Sequence, residues 1–198
     1  MKIGTEEVIQ RFKMAIWTFE TETDFTKFYF PIQEEKEFFH GLVKNYFEES
    51  KPVLKMWHTL CILRGEPMKH PDFFEIDGTD VIAISQRAVD SFKVFLSKTI
   101  ELLPLETDSG RYYALNVLNF VDCLNREESK YVATQSGMIL SYTLLEFNEA
   151  KLGDNTIFKI PELPYHTFIT DNIQDECEKN YLRGLVFDTK RNLVWYPE

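Results

Sequence analysis

Apolar and polar positions follow two rhythms along this chain, and the switch between them is clearest from Val81 to Val121. Val81-Ile82-Ala83-Ile84 is a short unbroken apolar run, the pattern of a strand covered on both faces. Ser85 follows where a helix N-cap belongs, because its hydroxyl can accept from the free N–H groups of a first turn. Ala88, Val89, Phe92, Phe95 and Leu96 then recur at helical spacing, with Asp90, Lys93, Ser97 and Lys98 on the wet side. Ile100 to Leu105 predicts the next strand, with Pro104 near its end or on an exposed edge. Thr107-Asp108-Ser109-Gly110 carries turn chemistry, and Arg111 to Leu118 returns as an extended strand.

The flanks read less sharply. Met14 to Phe19 suggests a strand and Glu20 to Asp24 a loop. Pro31 sets up a helix over Gln33 to Glu48, with Glu34, Glu35 and Glu37 in its favourable first turn. Phe38, Phe39, Leu42, Val43, Tyr46 and Phe47 form its apolar face. Val53 to Leu63 predicts a strand, Arg64 to Pro67 a turn, and Lys69 to Gly78 a loop carrying Phe73 and Phe74. Val121 to Glu128 suggests a short turn or a single helical turn, with Arg126 to Lys130 a solvated charge cluster. Met138 to Phe147 is nearly all apolar, which suits a strand buried on both faces or a buried helix.

After a turn at Lys151 to Asn155, Ile157 to Ile160 is a short strand closed by Pro161 and Pro164, and His166 to Ile169 is another. Asp171 is placed to cap a two-turn helix. Leu185-Val186-Phe187 and Leu193 to Tyr196 predict a terminal hairpin around Thr189 to Asn192. With no repeat or linker, residues 1–198 read as a single α+β domain, mostly antiparallel sheet with a few packed helices.

Composition narrows the function classes. The 17 Phe and 9 Tyr favour an aromatic-packed, sheet-rich interior. A formal charge of -10 and a pI near 5.0 argue against nucleic acid, which needs a basic footprint, and favour a basic partner. The odd, widely spaced cysteines Cys61, Cys123 and Cys177 suit a reducing compartment, and no run approaches bilayer length. A cytoplasmic protein without membrane contact is the expectation.

Candidate chemistry is sparse. His40, His58, His70 and His166 are scattered, with no second ligand at metal-site spacing, so no metal is expected. Phosphate loops and a nucleophile elbow are absent, and no cofactor is implied. Asp122, Asn125 and Arg126, grouped just after a strand, are the most enzyme-like cluster and leave a small hydrolase or transferase open. Their residue types are equally ordinary turn formers. Acids load the late helix at Asp171, Asp175, Glu176 and Glu178, which together with Trp195 form the candidate partner-binding set. Helix-dipole stabilisation explains much of that charge without a partner. A module that takes a peptide at a sheet edge is a third reading.

The order of segments carries a resemblance. Ile84-Ser85-Gln86-Arg87-Ala88 opening a helix, Glu101 to Leu105, Tyr112 to Val117, and Val121-Asp122-Cys123-Leu124-Asn125 form a series. Ile157 to Ile160, Phe168 to Asp171 and Gly184 to Phe187 continue it. Over residues 80–190 the series resembles the immunity-protein family of bacterial polymorphic toxin systems; residues 1–70 match no family. The resemblance implies a non-enzymatic protein that binds and neutralises a cognate toxin, and it brings no catalytic motif.

Overall fold

A computed structural model describes residues 14–22, 28–65, 70–96, 98–187 and, as backbone only, 193–194. Its strands are β1 (Ile16–Thr18), β2 (Glu20–Thr21), β3 (Phe28–Tyr29), β4 (Leu60–Arg64), β5 (Phe73–Glu75), β6 (Ile82–Ser85), β7 (Ile100–Thr107) and β8 (Gly110–Val117). They continue with β9 (Lys130–Ala133), β10 (Ile139–Leu144), β11 (Ile157–Ile160), β12 (Leu163–Thr170), β13 (Leu185–Val186) and β14 (Leu193–Val194). The α-helices are α1 (Gln33–Leu42), α2 (Gln86–Ser91), α3 (Glu149–Leu152) and α4 (Asp171–Lys179); α1 runs on into a π-helical turn, Val43–Phe47.

The central sheet has the order β3-β4-β7-β8-β6-β5, antiparallel except for the parallel β4–β7 pair. A bridge from Phe28 to Ile76 joins its two outer strands, so the sheet nearly closes on itself. The stacked rings of Phe28 and Phe74, 3.7 Å apart, fill that seam. Alternation explains what lies on each side. Phe74, Ala83, Leu103, Leu105 and Ala114 point to the inner core, which α1 plugs with Phe39 and Leu42. Phe73, Ile82, Ile84, Leu115 and Val117 point outward to a second core shared with α2, α4 and Ile157 of β11. With both faces covered, all four residues of β6 are buried, as its apolar run predicts. The result is an α+β fold built mostly of antiparallel pairings.

The helix after β6 is capped as expected: the Ser85 hydroxyl accepts from the Ala88 N–H at 3.1 Å. The β7–β8 hairpin also forms, closed at Thr107 and Gly110. Pro104, expected at an end or an edge, lies inside β7. Its carbonyl accepts from Trp57 Nε1 at 3.0 Å and so faces away from β8, and β4 pairs with β7 only from Leu105 onward. The missing N–H therefore interrupts no ladder bond.

Several expectations fail for identifiable reasons. Val53 to Thr59 is not strand, because the Glu101 carboxylate accepts from the Val53 and Leu54 N–H groups at 2.8 and 3.2 Å and holds a turn there. Phe73 and Phe74 lie on a strand rather than a loop, one ring in each core. Met138 to Phe147 yields only β10, in which Tyr142 alone is buried, because its sheet of β14, β10 and the fully exposed β9 is covered less completely. Pro164 does not close a strand but lies in β12, which opens after a turn at residues 161 and 162. Thr170, not Asp171, is the cap residue of α4.

Among the described residues the expected terminal hairpin does not form, since β13 and β14 belong to different sheets. Once Arg183 has accepted from Asp72 and Phe73 N–H groups, β13 pairs with β2, while β14 pairs with β10. Residues 189–192, Trp195 and Tyr196 lie outside the described residues.

Candidate functional site

A cleft of about 230 Å³ opens where the β5–β6 edge of the central sheet meets β2 and β12. Local forces fix each wall. The Phe19 N–H donates to the Thr167 carbonyl at 2.8 Å, and the buried Phe19 ring packs on Phe73 with centroids 5.8 Å apart. This pins Glu20 and Thr21 on one side and Tyr165, His166 and Thr167 on the other. Between β5 and β6 the chain reverses through Asp77 and Gly78, both at positive φ, and the Thr79 hydroxyl donates to the Ile76 carbonyl at 2.7 Å. That turn carries Asp80 to the rim, beside Glu75, with Ile82 beneath.

Under the cleft is a pocket of about 30 Å³ that shares Asp80, Tyr165 and Thr167 with it. Its polar wall is Lys159, 6% exposed, on the face of β11 turned toward the central sheet. The Lys159 ammonium donates to the Phe47 carbonyl at 2.7 Å. Burial pulls the Lys159 pKa down to about 8, against the pull of Asp80 and Glu48. Burial, with Lys159 adding to it, also holds His166 below its ordinary value while Asp80 and Glu20 oppose the shift. Burial thus favours the uncharged His166 ring, and Glu20, Glu75 and Asp80 are the acids among the described lining residues. Among the described residues lining it there is no lysine or arginine.

The acids predicted from sequence sit elsewhere, on the convex face of α4. Ile173 and Cys177 anchor that helix in the second core, leaving Asp175 and Glu178 exposed and Asp171 and Glu176 half-covered. Glu176 is held below the usual carboxylate range, first by the hydrogen bond from Lys179 at 2.7 Å; Asn180 also donates to it at 2.8 Å. Glu178 accepts from Gln174 at 3.0 Å, and Asp171 accepts from the Asn172 N–H at 3.0 Å. Much of this charge is answered on its own helix. Trp195, the fifth member of the set, lies outside the described residues.

Asp122, Asn125 and Arg126 are close together but committed to one another. Asn125 Oδ1 accepts from the Glu127 and Glu128 N–H groups, and Arg126 bridges Asp122, at 2.8 Å, and Glu162. They form a capped turn with an exposed ion pair on its outside. The buried thiols are no better placed for chemistry: burial pushes Cys123 up to about 11 and Cys177 up to about 12.

Sequence reasoning missed the cleft because its walls come from residues about 20, 75–80 and 165. One signal was available: Lys159 is the single charge in an otherwise apolar strand, Ile157-Phe158-Lys159-Ile160.

Comparison with known families adds a further finding. Residues 83–192, more than half of the chain, match the family described as Immunity protein family (Imm11). The match includes α4, Lys159 and His166, whereas Glu20, Glu75 and Asp80 precede it. No curated protein matches the chain.

Proposed function

The chain belongs to the immunity protein family, and from that membership we propose that it neutralises a cognate protein toxin by binding it directly. The family match is the observation that carries this reading. The physical features agree with it. A fold closed around three apolar cores offers a preorganised surface, and a net charge of -10 suits a toxin whose working face is basic. In this reading the protein makes and breaks no bonds; it covers its target with an interface of roughly 1,200 Å² or more. The acids of α4, chiefly Asp175 and Glu178, belong to the charged surface that meets the toxin.

The place of action follows the toxin's. The three cysteines are free thiols, which suits a reducing bacterial cytoplasm. No helix among the described residues is long and apolar enough to cross a membrane.

The test is co-expression with the toxin encoded beside this chain's gene. Cells producing both survive, and the purified proteins form a complex whose affinity falls as salt rises. A toxin that kills protected and unprotected cells alike, and shows no complex at low salt, would sink the proposal.

A further inference from the structure

Three side chains of β7, β8 and β11 hold one stretch of main chain, the segment that follows the π-helical turn. The Phe47 carbonyl accepts from the Lys159 ammonium at 2.7 Å, and the Lys51 carbonyl accepts from Asn116 Nδ2 at 2.9 Å. The Glu101 carboxylate accepts from the Val53 and Leu54 N–H groups and, at 2.9 Å, from the same Asn116 amide. The chain then turns on the Val53 carbonyl, which accepts from the Met56 and Trp57 N–H groups at 2.8 and 3.0 Å. Trp57 Nε1 ties the far end to the Pro104 carbonyl.

Each of the three grips falls on backbone. Asn116 is fully buried and Lys159 nearly so, placements that cost stability. What they secure is the path of the segment, not the burial of its side chains. Val53 is buried, but Leu54 is 57% and Met56 43% exposed, with Pro52 and Lys55 exposed beside them. A lone exposed leucine says nothing. Two apolar side chains on a turn clamped from below are a different case, because a partner that takes them loses little entropy in ordering the turn.

Charge narrows the occupant. From Lys51 to Gly65 the sequence holds no aspartate or glutamate, in a chain of net charge -10. Covering this turn therefore strips no carboxylate of its own of water, which suits the charge-poor centre of an interface. Lys55 forms no ion pair among the described residues. The three gripping residues lie in the family-matched stretch 83–192, whereas the turn precedes it.

We propose that the turn at residues 53–57 is a contact that selects the toxin: Leu54 and Met56 enter an apolar pocket of that protein, and Lys55 meets a carboxylate on its rim. The proposal rests on the toxin-binding function above and names a surface for it. Because the grip is on main chain, the displayed side chains can be matched to the toxin while the path stays fixed. Glu101 is a positioning residue, which sets the turn without touching the toxin.

The test uses the intact chain and the toxin encoded beside its gene, with dissociation followed by surface plasmon resonance. Leu54→Ala with Met56→Ala should release the toxin about tenfold faster, with the thermal midpoint of the parent. Glu101→Gln keeps the shape of the side chain but cannot accept from both N–H groups through a charged carboxylate. It should speed amide hydrogen exchange at Val53 and Leu54 and also hasten toxin release. Unchanged dissociation in the double variant, faster release explained by a lowered thermal midpoint, or unchanged exchange in Glu101→Gln would each overturn the proposal. In those cases the parent still binds, and the immunity reading stands. A parent that binds no toxin at all overturns both.

Discussion

Two acidic regions of this molecule differ in what surrounds the charge. On α4 the carboxylates stand on a convex surface and are partly answered by Lys179, Asn180 and Gln174 of the same segment. In the cleft, Glu20, Glu75 and Asp80 come from three separate stretches and face a common space above a buried lysine. Convex, solvated charge acts at a distance and is screened by salt; concave charge near low-dielectric walls acts on contact. On the toxin-binding reading proposed above, exposed charge of the α4 kind would serve the encounter rather than the lifetime of the complex.

One residue couples the regions, and breaking it should have the largest effect. Gly184 lies where the chain leaving α4 docks against β5, the strand that carries Glu75. Its φ is +107°, and a Cβ there would meet the Phe73 carbonyl oxygen at 2.3 Å and Pro71 Cβ at 3.2 Å. The Phe73 contact is with backbone, and the Pro71 contact is with a ring carbon that has little freedom to move. Beside it, Asp72 accepts from the Ser85 hydroxyl at 2.7 Å, from Arg87, and from the Arg183 N–H at 2.9 Å, so a shift at Gly184 disturbs the start of α2 as well. Gly184→Ala should cost about 4 kcal/mol in chemical denaturation. A loss within about 0.5 kcal/mol, the range of ordinary surface changes, would show that the two regions are not held by this contact.

The cleft should also differ from α4 in what it costs the fold, and pH separates them. Lys159 has a folded pKa of about 8 against an ordinary 10.5. Below pH 8 both folded and unfolded chains carry the proton, and the fold bears the full cost of burying it. Between about 8 and 10.5 the folded chain has released the proton while the unfolded chain still binds it, so stability rises with pH in this window. The buried Cys123 and Cys177 thiols and the Tyr112 phenol, all raised, act in the opposite direction above their unfolded values. Lys159→Met isolates the lysine. The stability of the parent relative to this variant should rise by roughly 3 kcal/mol across that window. A constant difference would mean that Lys159 reaches solvent.

What could be read in advance follows from how local each feature is. The Ser85 cap, the β7–β8 hairpin and the doubly covered β6 depend on neighbours within a few residues, and their patterns are plain in the chain. The β5 strand is three residues long and its polar flanks resemble a loop; only the two cores on either side make it a strand. The turn at Val53 is set by Glu101, 48 residues away. The cleft is less local still, since no periodicity links Glu20, Asp80 and His166. α4 was legible because its acids Asp171, Asp175, Glu176 and Glu178 fall within one short helix, and the same proximity lets Gln174, Lys179 and Asn180 answer part of their charge.

The smallest predicted effect is the most discriminating. Asp175→Asn with Glu178→Gln removes two exposed charges from α4 and leaves its buried Ile173 and Cys177 untouched. If this face only steers the approach, stopped-flow mixing with the toxin at low ionic strength should show association slowed roughly threefold and dissociation unchanged. At about 1 M salt, where the screening length falls to roughly 3 Å, variant and parent should associate at one rate. An α4 variant that instead dissociates faster, with its association rate intact, would place the helix in the desolvated centre of the interface and remove the distinction between the two acidic surfaces.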